Sequence, residues 1–208
     1  MKIKIKISII FILLFTFLGR VELQAQTAQS VLSQAAVKAQ KAKGIVATFS
    51  ATGSGRSMSG EIKAVGQKFH VKTGGRVAWY NGKNLWSYNP STKECTVETP
   101  STSTLSEINP LLYLSSYPTY FSSAFSSSKI AGKYVVDLNA KSRKAPAKKI
   151  TVYLDKSTLM PSQFVVTSRD GGVVTLKINT ISYNTSIPSS TFEFQKSNFK
   201  DVRVVDLR

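Results

Sequence analysis

The stretch RVAWYNGKNLWSYNP, residues 76–90, decides the fold class of this chain. It holds two short runs rich in aromatic and apolar residues, Arg76 to Tyr80 and Leu85 to Tyr88, with Asn81-Gly82 between them and Asn89-Pro90 at the end. Asn and Gly both tolerate positive φ, and this dipeptide is a strong signal for a turn between antiparallel strands. The segment therefore predicts a β-hairpin.

Short β-type runs of the same kind extend the pattern in both directions. They are Ile45 to Thr52, Met58 to Val65, Lys68 to Lys72, Glu94 to Glu98, Tyr134 to Asn139, Lys149 to Asp155, Ser162 to Ser168, Val173 to Tyr183, Thr191 to Phe194 and Val202 to Val205. Gly171-Gly172 predicts a second hairpin, and the basic run Lys141 to Lys149 reads as a charged hairpin loop. The order of runs and turns predicts a meander of antiparallel strands.

Two segments break the β pattern. Residues 28–43 lack Gly and Pro and repeat apolar residues at helical spacing, which predicts an amphipathic helix. Ser101 to Ser128 is rich in Ser and Thr, yet contains seven large apolar residues, more than a polar loop needs. Asn109-Pro110 can begin a short helix, since Pro suits the first turn. We expect one or two short helices that cover an apolar surface.

The N-terminus has the layout of a secretory signal peptide. A basic start with Lys2, Lys4 and Lys6 precedes an apolar run from Ile7 to Leu18, and a small residue follows at Ala25. The alternative is a membrane anchor, but the run is shorter than the roughly 20 residues that span a bilayer. We expect cleavage after Ala25, with Ala28 as the alternative, and a single domain over residues 26–208.

The chain is basic, with a formal net charge of +17, of which +14 remains beyond residue 25. A basic protein outside the cytoplasm meets anionic lipid head groups more often than nucleic acid. A generally solvated basic surface is the alternative. Aromatic residues interleaved with cations around Lys68 could suggest binding to single-stranded nucleic acid. Export and the packing of aromatics on strands argue against it, so no nucleic acid partner is expected.

Catalytic residue types are scarce. Cys95 is the only cysteine and His70 the only histidine, so an ordinary zinc site cannot be assembled and the only candidate base for a nucleophile is His70. The sequence contains no G-x-S-x-G elbow and no Walker or Rossmann glycine loop. We expect no enzyme activity, no metal and no cofactor.

The segment Asn81 to Pro90 resembles the D-G-K-x-L-W-x-Y-N-P hairpin of the periplasmic lipoprotein carriers known as the LolA family, with Asn81 at the Asp position. Further parts follow in the family's order: a helix with Leu32, a strand with Phe49, Gly60 to Lys63 before Lys68-Phe69, Ile108 to Leu112, and a closing Thr191 to Phe194. The resemblance spans nearly the whole chain after residue 25.

The resemblance implies a mainly β, α+β fold: a strongly curved, unclosed antiparallel half-barrel with short helices on its concave apolar face. It implies a periplasmic carrier, expected to be a monomer, that shields lipoprotein acyl chains between an inner-membrane lipoprotein-releasing complex and an outer-membrane acceptor. The expected acyl-chain wall is Phe49, Ile62, Phe69, Trp79, Trp86 and Tyr88. The expected lid is Leu111, Leu112 and Leu114. Ordinary core packing is the alternative for each wall residue.

One segment departs from the family pattern. Better-known members have Arg-Pro just before the Phe that matches Phe69, and that Arg latches the lid; this chain has Ala64 to Gln67 there. The main alternative function is a periplasmic lipid-binding or lipid-sensing module that uses the same fold without shuttling cargo. A purely structural surface β-protein is a third.

Overall fold

The computed structural model describes residues 26–208, and its central feature is one sheet of 12 strands. The predicted signal peptide lies outside the described residues. The helices are α1 (Ala28–Lys41), α2 (Thr102–Ile108) and α3 (Tyr113–Tyr120). The strands are β1 (Ile45–Gly53), β2 (Arg56–Val65), β3 (Lys68–Thr73), β4 (Val77–Tyr80), β5 (Leu85–Asn89), β6 (Glu94–Glu98), β7 (Phe121–Phe125), β8 (Lys133–Ala140), β9 (Lys149–Asp155), β10 (Pro161–Thr167), β11 (Val173–Tyr183) and β12 (Arg203–Asp206).

The sheet is open, because β12 and β7 lie at its two opposite edges in the order β12-β6-β5-β4-β3-β2-β1-β11-β10-β9-β8-β7. An open sheet of this many strands curls, since each strand pair adds twist. The prediction of a mainly β, unclosed and mostly antiparallel sheet with short helices is confirmed. One pair differs: β12 runs parallel to β6. After β11 the chain crosses one face of the sheet to the edge formed by β6. Strand β12 begins beside the first residue of β6, so the two strands run in the same direction.

A bulge in β11 keeps one face of the sheet apolar. The register between β1 and β11 shifts at Thr48/Phe49. Without the shift, the strict alternation of a strand would place Ile181 and Ile178 on opposite faces. With it, both pack in the same apolar cluster. A bulge also bends its strand and increases the local twist, which adds to the curl of the sheet. We call this apolar side the inner face.

Helices cover the inner face. Helix α1 begins at an N-cap in which the Thr27 side chain accepts a hydrogen bond from the Ser30 backbone N–H. Its buried residues Val31 and Leu32 pack with the inner side chains of β8, β9 and β10. Leu105 and Ile108 of α2 pack instead over β1, β2 and β3. Among residues 26–208, no helix combines the length and the apolarity needed to cross a membrane.

The opposite, outer face is covered along β3 to β6 by the segment after β11. Its 3₁₀ helix Ser189–Phe192 contacts β3 and β4 and buries Phe192. The prediction of a strand over Thr191 to Phe194 is therefore wrong. This segment crosses the face as a covering layer, so its backbone has no neighbouring strand to pair with.

Two further expectations need correction. The hairpin between β4 and β5 forms, but only Gly82 has positive φ, at 98°. Asn81 contributes differently, because its side-chain oxygen accepts hydrogen bonds from the backbone N–H groups of Lys83 and Asn84. Strand β7, with the sequence FSSAF, was not predicted. Most of its side chains are exposed, and the strand lies at an edge of the sheet, where it pairs only with β8. The hairpins at Lys141 to Lys149 and at Gly171-Gly172 form as predicted.

We predict that Phe192→Ala lowers the free energy of unfolding by about 3–5 kcal/mol, because a fully buried aromatic ring is replaced by a cavity. Chemical denaturation monitored by circular dichroism measures the loss. Phe125→Ala is the matched control, since that ring is 44% exposed and should cost much less. Equal losses at the two positions would contradict a core layer formed by the segment after β11.

Candidate functional site

An apolar groove lies at the centre of the inner face. Its floor and walls come from Phe49, Ile62, Phe164, Leu176 and Ile178, which belong to the four adjacent strands β2, β1, β11 and β10. Residues Ile108, Pro110 and Leu111 close it from above. All eight side chains are hydrocarbon, so the groove has no group for polar recognition. It suits an apolar ligand and offers no chemistry for catalysis.

A glycine shapes the wall of the groove. A Cβ atom at Gly60 would lie 2.7 Å from Cζ of Phe49 and 2.5 Å from the backbone oxygen of Lys72. The Phe49 ring thus occupies the space that a side chain on the paired residue of β2 would fill. Gly60 is therefore required for the position of Phe49, and this gives a physical reason for Gly within a strand interior.

The groove is almost filled by its covering segment. The cavity left beneath Leu111 is about 10 Å³, which is at the limit of what one water molecule requires. A second cavity of about 40 Å³ lies beside it, between the end of α1 and Leu112. An alkyl chain can enter the groove only if the segment around Leu111 leaves it.

The covering segment is a 3₁₀ helix, Pro110–Leu112, between α2 and α3. Its N-cap is Asn109, whose side-chain oxygen accepts a hydrogen bond from the Leu111 backbone N–H. Leu111 packs against the inner clusters of both halves of the sheet, yet Leu111 and Leu112 remain only half-buried. Leu114 is fully buried in the α1–α3 cluster. The three predicted lid leucines are thus adjacent, with Leu114 as the firmly packed member.

The structure divides the six expected wall residues between the two faces. Phe49 and Ile62 line the groove, and Phe69 is buried in the same inner cluster. Trp79, Trp86 and Tyr88 lie on the outer face. Paired residues of neighbouring strands lie on the same face, and successive residues of one strand lie on opposite faces. Phe69 pairs with Tyr80 on the inner face, so Trp79, which pairs with His70 and with Trp86, lies on the outer face. The expectation of a single wall is therefore wrong for Trp79, Trp86 and Tyr88.

On the outer face, Trp79 and Tyr88 pack with the segment after β11. The Trp79 ring centroid lies 5.5 Å from that of Phe194 and 5.7 Å from that of Phe199, and Tyr88 lies 4.6 Å from Phe199. Centroids at these distances are typical of favourable aromatic pairs. The motif that decided the hairpin thus contributes Trp79 and Tyr88 to a second core on the outer face.

Burial favours the neutral forms of three titratable side chains near the two faces, His70, Cys95 and Tyr183. Burial lowers the pKa of His70, and Lys63 acts in the same direction. Burial raises the pKa of the Cys95 thiol to about 11 and that of the Tyr183 phenol to about 12. The thiol of Cys95 and the phenol of Tyr183 therefore stay protonated at neutral pH and are not activated as nucleophiles. Within residues 26–208, no three His, Cys, Asp or Glu side chains come together as metal ligands.

The groove residues Phe164, Leu176 and Ile178 were not singled out from the sequence, although they lie on predicted strands. Period-two alternation along β11 identifies Leu176 and Ile178 as residues of one face. Their proximity to Ile62 of β2 can be known only from the order of the strands in the sheet. The inner face also continues to one end of the sheet. Met58, opposite Ala51, and Val174, opposite Gly53, are 56% and 45% exposed. We call these two side chains, which flank β1 at this end of the inner face, the apolar mouth.

Solved structures share this architecture. An uncharacterized conserved protein from Thermus thermophilus superposes with a TM-score of 0.59 at 16% identity, over 86% of this chain and 98% of that one. A DUF1329 family protein from Desulfovibrio piger gives 0.51 at 9% identity, over 85% and 100%. At these identities the similarities establish the fold alone. A LolA superfamily protein from Nitrosomonas europaea gives 0.46 at 15% identity, over 82% and 99%.

No curated protein sequence matches this chain significantly. A sequence model of the family described as "Outer membrane lipoprotein carrier protein LolA" matches residues 15–172. The match contains the hairpin motif, the covering segment around Leu111 and the strands from β1 to β10. It covers well over half of the sequence, and the chain therefore belongs to the LolA-like outer membrane lipoprotein carrier family.

Proposed function

We propose that this protein is a periplasmic carrier that shields the acyl chains of lipoproteins and delivers them from the inner to the outer membrane. The observation that supports this most directly is the inner groove. Eight hydrocarbon side chains meet there, and the covering residue Leu111 is only half-buried. A groove filled by a short, incompletely buried segment can exchange that segment for cargo.

The energetics make such a carrier necessary. The acyl chains of a lipoprotein hold roughly 40 methylenes, and exposing each to water costs about 0.8 kcal/mol. The total, about 30 kcal/mol, prevents unassisted passage through an aqueous space. A carrier must replace that exposure with apolar contacts and must also release the chains. A lid that fills the groove in the absence of cargo replaces the apolar contacts of the acyl chains, so the release of the chains costs less free energy.

We propose that Leu111 and Leu112 form the movable part of the lid and that Leu114 anchors it. Leu114 is fully buried against α1, so α3 keeps its contacts while the 3₁₀ helix leaves the groove. Phe49, Ile62 and Phe69, together with Phe164, Leu176 and Ile178, then form the wall available to acyl chains.

The lid is held by packing in this chain. Ala64 and Gly66, in the segment where relatives carry the latching Arg, line the second cavity beside Leu111 and Leu112. Lys63, the cation next to Ala64 in sequence, lies on the other face, where it pairs with Glu61 at 3.1 Å. We propose that apolar contacts, rather than an ionic latch, set the free energy of lid opening.

The proposal includes an inner-membrane lipoprotein-releasing complex as the donor, an outer-membrane acceptor, a monomeric carrier and no enzymatic step. The segment Ala64 to Gln67, which lacks the latching Arg of the relatives, leaves one alternative: a periplasmic lipid-binding or lipid-sensing module that uses the same fold without shuttling cargo. The chemical class of the molecules bound to the purified protein distinguishes the two functions.

We predict that the protein purified from its native periplasm carries acylated peptides, detected by mass spectrometry after solvent extraction. Free phospholipid or fatty acid without peptide would favour the sensing module. A protein with no bound lipid and no uptake of an alkyl dye would exclude both binding functions.

We predict that Leu176→Asn lowers uptake of an alkyl dye by about tenfold or more, because an amide in the groove loses its hydrogen bonds to water when a chain covers it. Thr175→Asn is the matched control, since this neighbour faces the other side of the same strand. Fluorescence titration measures uptake, and thermal denaturation identifies variants that unfold. Equal loss in both variants would argue against the groove as the binding site.

We predict that Leu111→Ser raises the apparent affinity for the same dye, because it weakens the segment that competes with the ligand. Each 1.4 kcal/mol removed from the closed state raises the affinity by up to about tenfold. Leu159→Ser is the control, since Leu159 is also half-buried but packs outside the groove. Weaker uptake by Leu111→Ser would show that Leu111 belongs to the wall and is not a lid.

A further inference from the structure

Three hairpin tips lie side by side around the apolar mouth. Gly53 pairs with both Arg56 and Val174, which places the β1–β2 tip next to the β10–β11 tip. Arg169 of the β10–β11 tip donates hydrogen bonds to the backbone oxygens of Ser142 and Ala145 in the β8–β9 loop. We call these tips, residues 53–56, 141–148 and 168–172, the basic rim.

The rim has a large excess of positive charge. It contains six cations and one acid, and all six cationic side chains are exposed: Arg56, Lys141, Arg143, Lys144, Lys148 and Arg169. The acid, Asp170, is ionised, because hydrogen bonds from the Ser168 hydroxyl and the Gly172 backbone N–H lower its pKa. None of the six cations forms an ion pair within 4 Å with a described residue. Their charge is available to an external partner.

Apolar side chains project from the same end. Met58, Val173 and Val174 are 56%, 47% and 45% exposed. Met58 and Val174 belong to the inner face, so the apolar surface of the groove continues into the rim. Exposed apolar side chains beside a row of cations match the two layers of a lipid surface, which are charged head groups above hydrocarbon.

We propose that the basic rim docks on the anionic phospholipid surface of a membrane, with Met58 and Val174 inserted at the boundary between head groups and acyl chains. Each Lys or Arg near such a surface contributes roughly 1 kcal/mol of attraction, and the inserted side chains add an apolar contribution that salt does not screen. Docking in this orientation places the mouth of the groove against the hydrocarbon layer. This role of the rim rests on the proposed carrier function, because it gives the groove a path that avoids water.

The test is flotation of the purified protein with two kinds of vesicle, one of phosphatidylcholine and one with an equal amount of phosphatidylglycerol added. We expect binding to the anionic vesicles only, with weaker binding at high salt. The triple variant Arg143→Gln, Lys144→Gln, Lys148→Gln should lose about 100-fold in affinity. The control Lys43→Gln, Lys68→Gln, Lys83→Gln removes the same charge from exposed positions at the opposite end of the sheet and should bind nearly as well as the unmodified protein.

A second variant tests insertion. Met58→Ser with Val174→Ser should weaken vesicle binding by a factor that stays the same at high salt, because the lost contribution is apolar. Equal loss in both charge variants, equal binding to both vesicles, or no binding to either would overturn the proposal. No vesicle binding combined with capture of an acidic protein would assign the rim to that protein instead.

Dye uptake without vesicles separates this proposal from the carrier function. The rim charge variant should take up alkyl dye as the unmodified protein does, since none of its three residues lines the groove. Normal uptake with lost vesicle binding supports docking. Normal uptake in a protein that never binds vesicles overturns docking and leaves the carrier proposal intact.

Discussion

The structure depends on one constraint: an open sheet of 12 strands has two faces, and each apolar part must be covered by something other than the sheet itself. A closed barrel would bury its interior by its own curvature. Here β12 and β7 remain at separate edges, so the inner face is covered by α1, α2 and α3. Covering elements that are not part of the sheet can leave it without breaking strand pairing, and the proposed carrier function depends on such an opening.

The cover is not uniform. Helix α1 presents a long buried side to β8, β9 and β10, with Val31 and Leu32 fully buried. The short segment around Leu111 fills the groove with side chains that are only half-buried. Burying less apolar area stabilises an element less, so we expect the segment around Leu111 to be the part of the cover that opens at lowest cost. A few residues would then set the free energy of opening, whereas the stability of the sheet is set elsewhere.

The outer face shows that the same motif can serve two cores. Along β4 and β5, Tyr80 and Leu85 face the helices, while Trp79 and Tyr88 face Phe194 and Phe199. The segment after β11 therefore fixes the half of the sheet that is farther from α1. In the proposed function, this outer layer keeps the sheet intact when the incompletely packed inner cover leaves the groove.

Local chemistry made much of this fold readable from the sequence. Alternation with a period of two, the turn at Asn81-Gly82 and the Gly171-Gly172 pair identified most strands and hairpins, because turns and pleats are set by neighbouring residues. The apolar residues from Leu105 to Leu114 likewise identified a covering segment, because side chains of that size need a surface to pack against. What only the tertiary structure decided was non-local. The bulge at Thr48/Phe49, the parallel β12 and the side on which Trp79 lies all depend on which distant segments pair. One residue of register reverses every side chain of a strand, and for that reason the sequence identified the aromatic residues but could not assign them to a face.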